Sequence, residues 1–135
     1  MAQIWAATLM VDSTAMNLAV VDDDVDVRAA LNRLLRAMGH QVRLFASAEE
    51  FAGDGHDFDC VILDIRLPGL NGLELREQMR AAGRILPLVF ITGDGDWFLG
   101  NDFPADVPTL RKPFDEESLV AILDRVVPSS RQLSE

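Results

Sequence analysis

The sequence predicts an α/β fold in which a parallel five-stranded sheet is covered by helices on both faces. Short apolar runs alternate along the chain with segments of helical periodicity. The apolar runs are nearly continuous, which is typical of strands buried on both faces of a parallel sheet. The length of 135 residues suits one domain, whose core is large enough to fold without disulfide or metal staples.

The strands and helices are predicted from runs of apolar residues and from end signals. The predicted strands are 18–21, 42–45, 60–63, 88–91 and 110–111. Helical spacing of apolar residues predicts helices over 27–38 and 73–82 and after Asp115, which is a good N-cap. Ser47, with Glu50 three residues later, predicts a capping box at the start of a further short helix.

The charge balance restricts the partners of the chain. Acidic residues outnumber basic ones by 22 to 12, for a net charge of −10. Such a surface repels nucleic acid and anionic lipid, so we expect no direct binding to either. The start of the chain lacks the basic region of a signal peptide, and no apolar run approaches the length of a membrane span. Cys60 is the only cysteine, which indicates a buried thiol and a reducing, cytoplasmic location.

Polar side chains stand at the carboxyl ends of four predicted strands. Asp22 and Asp23 follow the first strand, Asp64 the third, Thr92 the fourth and Lys112 the fifth. Ligands of open parallel sheets bind beyond the carboxyl ends of the strands, so these residues are expected to meet at one edge. Each alone says little, since a strand-end Asp is usually a turn former. Their combination in this order indicates a shared site.

The residue types at this edge fit phosphoryl chemistry with a divalent metal ion. Neighbouring carboxylates resist joint ionisation, and Mg²⁺, which prefers carboxylate oxygens and keeps several waters, would relieve their repulsion. Asp64 then remains as a nucleophile able to form an acyl phosphate. Lys112 can pair with phosphate as a point charge, and the Thr92 hydroxyl can donate to a phosphate oxygen.

Four stretches of the sequence resemble one known family. They are 20–24 (VVDDD), 61–72 (VILDIRLPGLNG), 90–93 (FITG) and 112–114 (KPF). Together they resemble the receiver domain of bacterial two-component response regulators, over about residues 17–127. The resemblance implies a doubly wound, CheY-like (flavodoxin-like) parallel sheet with the strand order 2-1-3-4-5.

The resemblance also implies a role for each residue of the site. Asp64 would take a phosphoryl group from a histidine kinase or a phosphotransfer protein, in a signalling protein rather than a metabolic enzyme. Mg²⁺ or Mn²⁺ would have four protein ligands, namely the carboxylates of Asp22, Asp23 and Asp64 and the backbone carbonyl of Arg66. Thr92 would move toward the phosphoryl group, Lys112 would pair with it, and the Lys112–Pro113 bond would be cis. Asp24 is expected to cap the first helix.

The stretch between the fourth and fifth strands departs from the family pattern. The family has a full amphipathic helix there, but two Gly and two Pro interrupt 94–108, so we expect a shortened or irregular fourth helix. Thr109 occupies the position of the family's aromatic switch residue. Arg66 and Asp94 either form an ion pair over the site or remain two free side chains. The aromatic residues of the stretch, expected to cover the sheet or else to bind a partner, are Trp97, Phe98 and Phe103.

The expected domain organisation is simple. We assign 1–16 to a loosely ordered N-terminal extension, 17–127 to the receiver domain and 128–135 to a C-terminal tail. The chain would be a stand-alone receiver without an output domain, either a monomer or a weak dimer, acting on a downstream protein target.

Other functions compete with this interpretation. The main alternative is a protein-binding module that keeps the fold but no longer uses phosphorylation, motivated by the irregular stretch and opposed by the intact site residues. A phosphohydrolase of the haloacid-dehalogenase type needs a second Asp two residues after the nucleophile, where Arg66 stands. A flavodoxin needs hydroxyls and backbone donors after the first strand, where this chain is acidic.

Overall fold

Five parallel strands form one sheet within residues 15–93 and 106–133, the part of the chain that the computed structural model describes, with side chains as far as residue 126. The strands are β1 (Asn17–Val21), β2 (Gln41–Phe45), β3 (Cys60–Asp64), β4 (Leu88–Thr92) and β5 (Thr109–Arg111). Their order in the sheet is β2-β1-β3-β4-β5, which confirms the predicted order. The expected irregular helix after β4 lies outside the described residues.

Helices connect and cover the strands. In the described part of the chain they are α1 (Val25–Ala37), α2 (Ala48–Ala52), α3 (Gly72–Ala81) and α4 (Glu116–Leu133). Gly39 follows α1 with a φ of +96°, a backbone conformation that only glycine adopts without strain, and so ends the helix.

Polar caps set the starts of the helices. Asp24 Oδ1 accepts two N–H groups of the first turn of α1, at 2.9 and 3.3 Å, so the expected cap is confirmed. Asp115 caps α4 through the N–H three residues later, at 2.8 Å. Ser47 Oγ accepts the N–H of Glu50 at 3.0 Å. The expected capping box at α2 is incomplete, because Glu50 Oε1 accepts from the N–H of Ala46 and not from that of Ser47.

Alternate residues of β1, β3 and β4 enter two separate cores. One core lies between the sheet and the pair α1 and α4, and its largest helix contributions are Leu31, Leu35, Leu119 and Leu123. The other lies under α2 and α3, where Phe45 meets Phe51 and Phe58 edge to face, with ring centroids 5.2 and 6.1 Å apart. Helices therefore cover both faces of the sheet, and the doubly wound fold is confirmed.

Packing and secondary structure continue past both ends of the range 17–127 that was assigned to the receiver. Met16, assigned to the loose extension, is buried in the core beside α1 and its N–H donates to His40 Nδ1 at 3.2 Å. The helix α4 continues through Pro128 to Leu133, where a tail was expected. Proline in a helix interior removes one N–H and its ring crowds the carbonyl four residues earlier, but its fixed φ is compatible with helical backbone, and here the helix continues past Pro128. No described helix is long and apolar enough to cross a bilayer.

Candidate functional site

The loop after β1 places two acidic side chains at the carboxyl edge of the sheet. Asp22 is fully buried and Asp23 is exposed. The N–H of Asp22 donates to the carbonyl of Phe45 at 3.1 Å, and Asp22 Oδ1 accepts the N–H of Asp24 at 2.8 Å. These bonds leave Asp22 Oδ2 buried in an ion pair with the ammonium of Lys112, 3.3 Å away, without a well-aligned hydrogen bond from the described residues.

The neighbouring strand β3 brings Asp64 to the same edge. Val21 and Leu63 are partners in the parallel pairing of β1 and β3, so Asp22 and Asp64 stand one position beyond them. Asp64 is 5% exposed, and its Oδ1 accepts the N–H of Arg66 at 3.0 Å. The register of the sheet therefore puts two buried carboxylates side by side.

Lys112 completes the edge from the far side. Its N–H donates to the carbonyl of Thr92 at 2.7 Å, where β4 and β5 end. Its Nζ lies 3.3 Å from Asp22 Oδ2 and 3.4 Å from Asp64 Oδ2. Thr92 is buried as the last residue of β4. The Lys112–Pro113 peptide bond is cis, as predicted.

The electrostatics of this edge follow from burial and from the close charges. Burial raises the pKa of Asp64 to about 6, and the charge of Asp22 adds to the rise, while the N–H of Arg66 and the ammonium of Lys112 oppose it. Burial alone would lower the pKa of Lys112, but the carboxylates of Asp64 and Asp22 outweigh it and raise that pKa. One cation therefore serves two buried carboxylates, and the site is short of positive charge.

The three acids fit a hard divalent cation. One carboxylate oxygen from each of Asp22, Asp23 and Asp64 lies within 4.8 Å of the others. Oxygen ligands at such separations suit Mg²⁺, which fills its remaining positions with water. The buried Asp22 Oδ2 shares the ammonium of Lys112 with Asp64 and has no hydrogen-bond donor of good geometry among the described residues, so a bound cation would stabilise it further. The structure thus gathers the three carboxylates predicted as ligands; the carbonyl of Arg66 stays a prediction.

Two sequence expectations beside the site have different outcomes. Thr109, which stands where the family has its aromatic switch residue, begins β5 and is exposed. Its hydroxyl donates to the carbonyl of Val107 at 3.3 Å. The proposed pairing of Arg66 with Asp94 lies outside the described residues, as do the aromatic residues of that stretch, Trp97, Phe98 and Phe103.

Sequence reasoning missed several residues that support the site. Arg28 of α1 donates to the backbone carbonyl of Asp22 at 2.7 Å. Gly72 begins α3 so close to β3 that a Cβ there would lie 2.8 Å from the carbonyl oxygen of Asp64. Asn71 and Glu74 form a capping box, which their spacing could have predicted. The first two contacts have no signal in a single sequence.

Comparison with known protein families and curated proteins gives consistent matches. A family model described as the response regulator receiver domain matches residues 18–124. The transcriptional regulatory protein FixJ of Bradyrhizobium diazoefficiens is 37% identical over 119 residues, covering 85% of this chain and 58% of that protein. The response regulator protein TmoT of Ectopseudomonas mendocina is 34% identical over 114 residues, covering 77% and 49%. The chain thus spans about half the length of the curated relatives it matches.

Solved structures show the same likeness. Full-length FixJ from B. japonicum superposes with a TM-score of 0.75 at 37% identity, covering 82% of this chain and 56% of that one. The receiver domain of a sensor histidine kinase from Pseudomonas aeruginosa, which has a magnesium ion coordinated in its active-site cleft, superposes with a TM-score of 0.74 at 25% identity. That match covers 85% of this chain and 99% of the other.

Proposed function

Because the chain belongs to the family of response regulator receiver domains, we propose that it takes a phosphoryl group onto Asp64 within a two-component signalling pathway. The observation that carries this proposal is the contact of Lys112 with Asp22 and Asp64 at the carboxyl edge of the sheet. Asp64 comes from the end of β3, Asp22 from the loop after β1 and Lys112 from the position after β5, and the three side chains meet there. Such a group suits phosphoryl transfer better than it suits stability, since the buried carboxylates repel one another.

The proposed step is phosphoryl transfer from a phosphohistidine. A carboxylate oxygen of Asp64 forms a bond to phosphorus as the phosphorus–nitrogen bond of the donor breaks. The imidazole leaves with the bonding electron pair and takes up a proton, and Asp64 becomes an acyl phosphate. Lys112 would then pair with the phosphoryl oxygens, and the Thr92 hydroxyl would donate to one of them.

The proposed ligands of the metal are the carboxylates of Asp22, Asp23 and Asp64 and the carbonyl of Arg66. When bound, Mg²⁺ or Mn²⁺ would supply positive charge that offsets the charge of the transferring group. The protein's own contribution is to hold the carboxylates together before the ion arrives, through the bonds that fix the loop after β1.

Receiver domains interact with histidine kinases, and the donor proposed for this chain is a histidine kinase or a phosphotransfer protein. The stand-alone character of the chain stays a prediction, because the chain spans only about half the length of FixJ and TmoT, and FixJ is named a transcriptional regulatory protein. A downstream protein target, the cytoplasmic location and the monomeric or weakly dimeric state also stay predictions. With Thr109 at the aromatic position, we propose that phosphorylation is transmitted without the usual aromatic switch.

The alternative function is a binding module that ignores phosphorylation. The described site gives no support to this alternative, because Asp22, Asp23, Asp64, Thr92 and Lys112 are all retained at the sheet edge. A partner that binds the wild type and Asp64→Asn equally well, and that phosphorylation neither strengthens nor weakens, would favour it.

The proposed function is tested by mass spectrometry of the intact protein. Wild type incubated with acetyl phosphate and Mg²⁺ is expected to gain the mass of one phosphoryl group, and excess chelator is expected to abolish the gain. Asp64→Asn should gain none. The exposed Asp57→Asn, which makes the same chemical change away from the site, should behave as wild type. A wild type that gains no mass, or an Asp64→Asn that gains it, would contradict the proposal.

A further inference from the structure

Arg28 lies beside the acidic edge and has no part in the proposed reaction. It lies in the first turns of α1 and is half-buried. Its NH1 donates to the backbone carbonyl of Asp22 at 2.7 Å. Within the described ranges no carboxylate pairs with this guanidinium, although three acidic side chains stand on the loop just before it. Such a choice of partner needs a reason, because an arginine bonds carboxylates more strongly than neutral carbonyls.

The contact closes a set of bonds around one residue. The N–H of Asp22 donates to Phe45, its Oδ1 accepts from Asp24, and its carbonyl accepts from Arg28. The N–H of Arg28 also donates to the carbonyl of Asp24 at 3.0 Å, so Arg28 is tied to the loop by both its backbone and its side chain. Asp22 Oδ2 lies 3.3 Å from Lys112 Nζ in an ion pair and has no further hydrogen-bond partner among the described residues.

We infer that Arg28 is a positioning residue for the metal site. It holds the carbonyl of Asp22 so that the Asp22 and Asp23 carboxylates stay within reach of Asp64. Because its guanidinium bonds this neutral carbonyl, it does not neutralise a carboxylate that would bind the metal ion. This inference rests on the proposed function, because the site it serves is the proposed Mg²⁺ site. Residues that orient metal ligands commonly affect metal affinity strongly without touching the ion.

A positioning role of Arg28 and a purely electrostatic role predict opposite changes in Mg²⁺ affinity when the residue is replaced. If Arg28 acted only through its charge, removing it would lessen repulsion of the cation and tighten Mg²⁺ binding. If Arg28 positions the loop, Arg28→Met weakens Mg²⁺ binding about tenfold, the size typical of lost support for a metal ligand. Met keeps the apolar stem and removes the donor. Arg33→Met is the matched control, because Arg33 is an exposed residue of the same helix and its loss removes the same charge.

Isothermal titration calorimetry gives the Mg²⁺ dissociation constants, and amide hydrogen exchange of the metal-free protein gives a second measurement. The N–H of Asp24, bonded to Asp22 Oδ1, is expected to exchange faster in Arg28→Met, while that of Leu63 in β3 is unchanged. Arg33→Met should leave both measurements within about twofold of wild type, since exposed charges are screened. Arg28→Gln, whose amide is too short for the same reach, is expected to match Arg28→Met and replaces it should that variant not fold.

Equal or tighter Mg²⁺ binding in the Arg28 variants, or unchanged exchange at Asp24, would overturn the inference. Such a result, obtained with a wild type that binds Mg²⁺ and gains a phosphoryl group, would leave the proposed function intact. A wild type that binds no Mg²⁺ and takes up no phosphoryl group would instead reject the proposed function.

Discussion

Asp64 occupies a position that costs the folded protein free energy. Its carboxylate is removed from most of the solvent and stands next to the buried Asp22, and one ammonium, that of Lys112, is shared between them. The pKa of Asp64 is consequently raised to about 6, first by burial and then by the charge of Asp22. A group arranged for stability alone would be expected to show the opposite shift.

This shift predicts a pH-dependent gain of stability in Asp64→Asn. Between pH 3.8, the ordinary pKa of an Asp carboxyl, and pH about 6, the raised pKa of Asp64, the unfolded chain has released the Asp64 proton while the folded protein still holds it. The unfolded state then binds fewer protons, so wild-type stability falls through this window and the loss is complete above it. Without metal, Asp64→Asn should therefore raise the free energy of unfolding by on the order of 2 kcal/mol at neutral pH.

Urea unfolding with chelator at neutral pH and at a pH below the ordinary carboxyl value measures this effect. The advantage of Asp64→Asn should disappear at the lower pH, where both states are protonated. Asp57→Asn, at an exposed acid, serves as the control and should show no comparable gain. A loss of stability at neutral pH in Asp64→Asn, or a gain that does not change with pH, would show that burial and Asp22 do not set the Asp64 pKa.

The connection between β3 and α3 holds the end of the strand that carries Asp64. The N–H of Gly72 donates to the carbonyl of Ile65 at 3.0 Å, so the helix begins directly against the end of the strand. Glu49 of α2 accepts the N–H of Leu70 at 3.1 Å and holds the intervening loop. The capping box at Asn71 fixes the first turn of α3. The strand end that carries Asp64 is thus supported by two helices.

Gly72→Ala is expected to disturb this support. Its Cβ would meet the Asp64 carbonyl oxygen at 2.8 Å and the Ile65 Cα at 2.9 Å, and both are backbone atoms that cannot turn aside. We expect a loss of about 1–3 kcal/mol of stability, typical of forced overpacking, together with slower phosphorylation. Gly55→Ala is the control, because nothing lies within 4 Å of its Cβ. Equal urea midpoints and equal phosphorylation rates for the two variants would mean that α3 moves freely at this end.

The elements also show which features a sequence can predict. The strands follow from apolar runs, because a strand buried on both faces leaves few polar positions. Glu50 bonds Ala46 rather than Ser47, and α4 continues past Pro128, because such choices depend on the local path of the backbone and not on residue type. The bond from Arg28 to the carbonyl of Asp22 is likewise invisible in the sequence, since any side chain of that length has many acceptors within reach.

On the scale of the whole molecule, the sheet assembles the site from distant parts of the chain. Parallel pairing puts the carboxyl ends of β1, β3, β4 and β5 at one edge, so the predicted residues meet there once the strand order is known. This is why the carboxylates and Lys112 could be predicted from sequence. The unfolded chain therefore lacks the proposed metal site, because the carboxylates of Asp22 and Asp64 are then separated by dozens of residues.

Mg²⁺ should therefore stabilise the folded protein. An ion that binds only the folded state adds about 1.4 kcal/mol at ten times its dissociation constant. Asp23→Asn should lose most of this increment, and Asp26→Asn, which removes an exposed charge of the same kind from α1, should keep it. Urea unfolding with Mg²⁺ and with chelator at equal ionic strength measures both increments. An increment that survives in Asp23→Asn would mean that Mg²⁺ acts only by screening the net charge of −10.

The most direct test of the proposed phosphorylation identifies the residue that carries the phosphoryl group. Protein phosphorylated with acetyl phosphate and Mg²⁺ is reduced with borohydride, which converts an aspartyl phosphate to homoserine, and is then mapped by peptide mass spectrometry. Homoserine is expected at Asp64, and unmodified aspartate at Asp22 and Asp23. Homoserine at Asp22 or Asp23, or no homoserine among the recovered peptides of a phosphorylated sample, would contradict the proposal.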